Sequence, residues 1–192
     1  MSANEQIAVE RFGSGQAILL LHGGARPEAT WDRQMELAER WSLIIPTRRG
    51  FAPSTSAPAE DLEVDAGDVD RLLTKRTHLV GFDYGALALA VAALENPKMV
   101  RSLTLIEPPA EFTREATLDL DALAKLGIPV MVVSGGGDAG IESASDTIAE
   151  RLRGRREIVP GEGEPVPRTP GFNDVLEDFL RGSAGTARFR TA

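Results

Sequence analysis

The sequence predicts an α/β fold: an open, mostly parallel sheet with helices on both faces. Short continuous apolar runs recur along the chain, as in AILLL at 17–21 and PVMVVS at 129–134. Strands covered by helices on both sides read as unbroken apolar runs rather than as alternating ones. Segments with helical spacing lie between the runs, as in ATWDRQMELAER at 29–40 and YGALALAVAALE at 84–95. Strands separated by helices of that length form βαβ units and a parallel sheet.

The elements follow in order. Residues 5–11 alternate weakly and suit an edge strand. Strand 17–21 ends at His22-Gly23-Gly24 and leads to a helix at 29–40, with Trp31, Met35 and Ala38 on one side. Strand 42–46 is stopped by Pro46, and Ser54 to Pro58 is a loop. An acidic helix at 61–75, a strand at 78–81 and an apolar, buried helix at 84–95 come next. Strand 101–106 is closed by Pro108-Pro109 and followed by a helix at 114–126. A strand at 129–134, a helix at 142–153, a strand at 155–159 and a helix at 171–181 complete the set. The expectation is one domain over 1–182 and a flexible tail at 183–192.

Composition narrows the function. The chain has 192 residues, 42% of them hydrophobic, enough for a substantial core. Net charge is −8, from 29 acidic and 21 basic residues, which argues against binding a nucleic-acid backbone. There are no cysteines, so disulfides, thiolate nucleophiles and Cys-ligated zinc are excluded. The first residues hold no apolar run of signal-peptide length, and no later run reaches the ~20 residues of a membrane helix. A cytoplasmic protein with a small-molecule substrate, no cofactor, and no nucleic-acid or membrane partner is expected. The chain carries two histidines, His22 and His78, so no mechanism can use one from its second half.

In such sheets ligands bind at the carboxyl ends of the strands. There the segment HLVGFDYGALALA places Gly81-Phe82-Asp83-Tyr84-Gly85 between a strand and a buried helix. This is the layout of a nucleophile elbow. Small residues two positions either side allow the sharp turn. The turn lifts the Asp83 side chain above the sheet edge and points the next N–H, that of Tyr84, at the same spot.

With LLLHGG at 19–24, IIPTRRGFAPS at 44–54, HLVGFDYGA at 78–86, SLTLIEPPA at 102–110, IPVMVVSGG at 128–136 and VPGEGEPVP at 159–167, the chain resembles the α/β-hydrolase superfamily over nearly its whole length. The Asp83 elbow looks like that of epoxide hydrolases and haloalkane dehalogenases. The resemblance implies that Asp83 attacks a substrate carbon, that a histidine-activated water cleaves the resulting ester, and that the Gly24 and Tyr84 N–H groups hold the oxyanion. His22 would prop the loop of Gly23 and Gly24.

The sequence departs from that pattern twice. The histidine position of the last loop falls on Glu164, and His78 begins its strand at the opposite end of the sheet. Residues 110–127 also leave room for one helix where relatives insert a lid, so the site would be open, or covered by a partner or a second copy of the chain. Glu107 and Asp138 follow strands at the same edge and are candidates for the supporting acid. Four acids could together hold Mg²⁺ or Ca²⁺, but no loop spacing supports a metal site. Three readings stay open. Asp83 is the nucleophile of an epoxide- or ester-type hydrolysis with Glu164 as base. Asp83 and Glu164 are an acid/base pair for an isomerisation, cyclisation, dehydration or direct water addition to an epoxide, with no covalent intermediate. Or the chain is a non-catalytic binding protein. The first two place Glu164 against Asp83, and the elbow requires a positive φ at Asp83.

Overall fold

The computed structural model describes residues 7–56, 60–114, 118–161 and 163–184. Its strands are β1 (Val9–Phe12), β2 (Ala17–Leu21), β3 (Ser42–Pro46), β4 (Thr77–Phe82), β5 (Val100–Ile106), β6 (Val130–Ser134) and β7 (Arg155–Ile158). They form one sheet in the order β1-β3-β2-β4-β5-β6-β7. β1 is the antiparallel edge strand, and every other pair is parallel.

Successive strand residues point to opposite faces. Leu19, Leu79, Leu103 and Val132 therefore pack on one side, under α2 (Leu62–Leu72), α3 (Tyr84–Glu95), α4 (Leu120–Lys125) and α5 (Ala139–Leu152). Ile18, Leu20, Val80 and Val133 pack on the other, under α1 (Pro27–Trp31), the 3-10 helix after it and α6 (Phe172–Ala184). Leu19, Leu20, Ile44, Ile45, Leu79, Val80, Leu103, Leu105, Val130 and Val132 are all buried, the most open being Val130 at 8%. Unbroken apolar runs do mark strands covered on both faces.

Several element boundaries differ from the expected ones, each for a local reason. The helix expected at 29–40 starts at Pro27 and tightens into a 3-10 helix over Asp32–Glu39. Trp31, Gln34 and Leu37, three residues apart, are the buried ones, as a three-residue turn requires. α4 starts where the Asp119 carboxylate accepts the Ala122 N–H, later than 114. α5 starts at Ala139 because Asp138 caps it. α6 continues to Ala184, so residues 183 and 184 of the expected tail are helical; residues 185–192 lie outside the described residues. So do 5 and 6 of the expected edge strand, 57 and 58 of the expected loop, and 115–117 of the expected helix. Among the described residues, no helix is long and apolar enough to cross a membrane.

The topology sets the site. The chain runs outward from β2 to β3 and then returns past β2 to β4, so strand order reverses there. Open α/β sheets bind ligands at the carboxyl side of such a reversal. Parallel register aligns Leu21 with Gly81 and Phe82 with Ile106. The segments beginning at His22, Asp83 and Glu107 thus leave the sheet side by side.

Candidate active site

Asp83 sits at the tip of the turn with φ 53° and ψ −128°, as the elbow requires. The turn is tight. A Cβ on Gly85 would lie 2.3 Å from the Leu21 carbonyl oxygen, and one on Gly81 would lie 2.6 Å from Ala86 Cα. The Asp83 N–H donates to the Ile106 carbonyl at 2.9 Å, which ties the elbow to the end of β5. On its other side the Gly24 N–H donates to Asp83 Oδ2 at 3.2 Å. Gly23 is packed so closely that a Cβ there would fall 2.6 Å from Asp83 Cβ and Oδ2.

Glu107 is the neighbouring acid. It also has a positive φ, 46°, rare for a residue with a side chain and a mark of local strain. Its N–H donates to the Val133 carbonyl at 2.8 Å. Its carboxylate accepts the Val166 N–H at 3.3 Å and lies against the Gly135 backbone. Burial pushes the Glu107 carboxyl above its ordinary value. The Glu142 and Asp83 charges add to this, and the Val166 and Gly135 N–H groups work against it. Strand register therefore places Asp83 and Glu107 at adjacent strand ends, near enough for the Asp83 charge to act on the Glu107 carboxyl.

Glu164 is not the partner of Asp83 that sequence spacing suggested. Its carboxylate pairs with Arg168 Nε at 3.2 Å and its side chain is 63% exposed. It lines a cavity of about 670 Å³ with Arg33, Pro160, Gly161, Arg168 and Pro170. The cause is local: Arg168 follows four residues on, in a 3-10 turn, and is itself held by the Ala29 carbonyl at 3.0 Å. Asp138 is likewise spent elsewhere. Its carboxylate caps α5 by accepting the Gly140 and Ile141 N–H groups at 2.8 and 2.9 Å. The arginine-rich run at the end of α5, Arg151 to Arg156, makes ion pairs. Arg151 meets Asp121, Arg155 meets Asp178, and Arg156 meets Glu142 and Asp146.

His22 props the Gly23-Gly24 loop. Its Nε2 accepts the Arg48 N–H at 2.9 Å, which leaves the proton on Nδ1, 3.1 Å from the Gly23 carbonyl. Burial, with help from the Arg48 charge, lowers its pKa to about 4, so the ring stays neutral near pH 7. His78, at the far end of β4, is buried between Gln16 and Ser102. The Tyr84 hydroxyl is buried beside Asp65 without a well-formed hydrogen bond, and its phenol is pushed up, chiefly by burial.

Sequence reasoning missed two neighbours of the site. Arg48, 2% exposed, lies beneath the Gly23-Gly24 loop, with Asp65 and Tyr84 around it. Glu142 joins Ser134, Gly136 and Arg156 beyond Glu107. The Arg48-Arg49 pair directly after β3, at the carboxyl edge, was the available signal. Among the described residues, no group of three or more carboxylate or imidazole side chains forms a candidate metal site.

The pattern that defines the alpha/beta hydrolase family matches residues 18–189. The chain belongs to this family. Among curated hydrolases, a pimeloyl-acyl-carrier-protein methyl ester esterase of Aeromonas hydrophila is 31% identical over 113 residues, 57% of this chain and 44% of that one. A 2-(acetamidomethylene)succinate hydrolase of Mesorhizobium japonicum is 28% identical over 188 residues, 93% of this chain and 62% of that one. The chain thus spans less than two thirds of the length of either relative. Among solved hydrolase structures, a carboxylesterase of Nitrososphaera gargenis superposes with a TM-score of 0.82 at 14% identity, covering 95% of this chain and 97% of that one. An esterase of Thermogutta terrifontis gives 0.78 at 19% identity, covering 92% and 93%. These likenesses establish the α/β-hydrolase fold.

Proposed function

We propose that the chain hydrolyses a small organic molecule by an epoxide-type ring opening, with Asp83 as nucleophile and Glu107 as the acid/base group. The observation that carries the reading is the Gly24 N–H on Asp83 Oδ2. A serine esterase keeps such a donor free for the substrate carbonyl oxygen. Here the donor holds an oxygen of the attacking carboxylate itself. That suits a reaction whose oxyanion forms on Asp83.

The steps balance. Asp83 attacks a ring carbon, the C–O bond breaks, and the ring oxygen takes the proton of Glu107. Burial favours the protonated form of Glu107 that this step needs. Ionised Glu107 then takes a proton from water, whose oxygen adds to Cγ of the Asp83 ester. The negative charge develops on the oxygen facing the Gly24 N–H. The ester C–O bond breaks, the departing alkoxide takes the proton back from Glu107, and the diol leaves. Asp83 returns a proton to Glu107, which resets the pair. The 3-10 turn and α4 described in the β5–β6 connection support a site that substrate reaches directly at the sheet edge.

The test is a single turnover of alkyl and aryl epoxides in ¹⁸O-water, followed by mass analysis of the peptide holding Asp83. Label in that peptide is expected, with turnover abolished in Asp83→Asn. Diol formed with label in the diol alone would make Asp83 a general base. Turnover of esters but not epoxides, or of neither, would overturn the reading.

A further inference from the structure

The candidates outside the reacting pair are an acid-rimmed apolar cleft beside Trp31, the cavity at Glu164, and the buried arginine beneath the Gly23-Gly24 loop. The last is carried furthest by its geometry. The Gly23 carbonyl and the Gly24 N–H belong to one peptide unit. A trans peptide points these two groups in opposite directions. The N–H reaches Asp83 Oδ2 at 3.2 Å, and on the other side the carbonyl receives Arg48 Nη1 at 2.9 Å.

Two consecutive glycines leave this peptide little resistance to rotation, because neither residue has a Cβ to restrict it. A flipped peptide would remove the donor and turn a carbonyl oxygen toward the Asp83 carboxylate. A fixed cation on the carbonyl opposes that flip, and Arg48 is fixed. Its guanidinium lies 3.9 Å from the Tyr84 ring centroid, its Nη2 donates to Glu60 at 2.9 Å, and its Nε faces Asp65 at 3.4 Å. Its own backbone N–H holds His22, the second group beside the Gly23 carbonyl. A planar fork holds several such partners in fixed directions, whereas an ammonium is a point charge on a flexible stem.

We propose that Arg48 is a positioning residue that locks the Gly23–Gly24 peptide with its N–H toward Asp83. This rests on the reading of Asp83 given above. It adds that the donor's orientation is set from beneath the loop, by a side chain that touches no reacting atom.

The Gly24 amide resonance in ¹H–¹⁵N NMR spectra of the full chain tests both claims separately. In the wild type it should lie downfield and move upfield in Asp83→Asn. Arg48→Met should move it upfield with Asp83 intact. Arg48→Lys, which keeps a buried cation opposite Asp65 and so protects folding, should do the same. On an epoxide turned over through Asp83, Arg48→Lys should lower kcat, by up to the roughly 100- to 1000-fold that loss of an oxyanion donor costs, with little change in KM. A merely structural arginine would lower the urea midpoint and leave the Gly24 resonance in place. If Asp83→Asn moves Gly24 and neither Arg48 variant does, the Arg48 proposal fails and the Asp83 reading stands. If Asp83→Asn leaves Gly24 unmoved, the Asp83 reading fails and takes the Arg48 proposal with it.

Discussion

Three carboxylates at one edge of the sheet have three different environments. Asp83 holds an N–H on a strained turn, Glu107 is half-buried, and Glu164 lies in solvent against Arg168. Glu107 carries the clearest consequence. Burial raises its pKa in the folded chain above the unfolded value, so the folded state binds more protons. Its contribution to stability is therefore full below the unfolded pKa and is lost as pH rises through the folded one. Glu107→Gln keeps an acceptor for the Val166 N–H and removes the charge. In urea unfolding it should be more stable than wild type at pH 8, with the gap closing toward pH 4. Glu164→Gln removes one exposed ion pair and should change stability by less than about 1 kcal/mol at either pH. A Glu107→Gln variant that loses stability at pH 8 would mean the carboxylate is held by its N–H donors more strongly than burial penalises it.

The elbow shows how one turn constrains three strands. β2, β4 and β5 meet there, and glycines let their ends approach. At Gly85 the nearest atoms to an added Cβ are the Leu21 and His22 carbonyl oxygens, at 2.3 and 2.6 Å. Both are main-chain atoms at the end of a central strand, which cannot move aside as a side-chain tip can. Gly85→Ala should therefore destabilise the chain by about 1–3 kcal/mol or more, although alanine is the better helix former at an exposed site. Gly67→Ala in α2 is the control, because its added Cβ would meet nothing closer than an Arg71 side-chain nitrogen at 3.7 Å. That change should be neutral or stabilising in the same urea titration. Equal effects of the two substitutions would mean the elbow backbone is not as rigid as its contacts imply.

For the molecule as a whole, the two histidines set an acid limit. Burial lowers His22 to about 4 and His78 to about 3, with nearby arginines adding to both effects. In the unfolded chain both would take up protons near pH 6.5. Their folded pKa values are depressed, so the neutral rings support the fold fully above pH 6.5 and lose that support as pH falls toward 4. Each histidine should steepen the loss by up to about 1.4 kcal/mol per pH unit in that window. Urea midpoints measured from pH 7 to 4.5 should show the decline. His78→Gln, far from the site, should flatten it by close to one proton's worth. An unchanged slope would mean that His78 is protonated in the folded protein.

The sequence by itself determined the layers and the turn. Central strands buried on both faces are mostly apolar, so β2, β3, β4 and β6 stood out as runs. The elbow was legible because its constraint is local: glycines two residues either side of Asp83, between a strand and an apolar helix. Leu19, Leu20, Leu79, Val80, Val130 and Val132 of these runs are all buried, and Asp83 has the expected φ. The fates of the charged side chains were decided only by the tertiary structure. Register between β4 and β5 brought Glu107 beside Asp83, while Arg168 drew Glu164 away and a helix start consumed Asp138. Arg48, in a loop and next to a second arginine, carries no local mark of burial, yet Asp65 of α2 and Tyr84 of α3 enclose it. The physical reason is reach. Hydrophobic periodicity and turn chemistry act through a residue's immediate neighbours in the chain. A long charged side chain pairs with whatever the packing of distant elements places within a few ångströms of its tip.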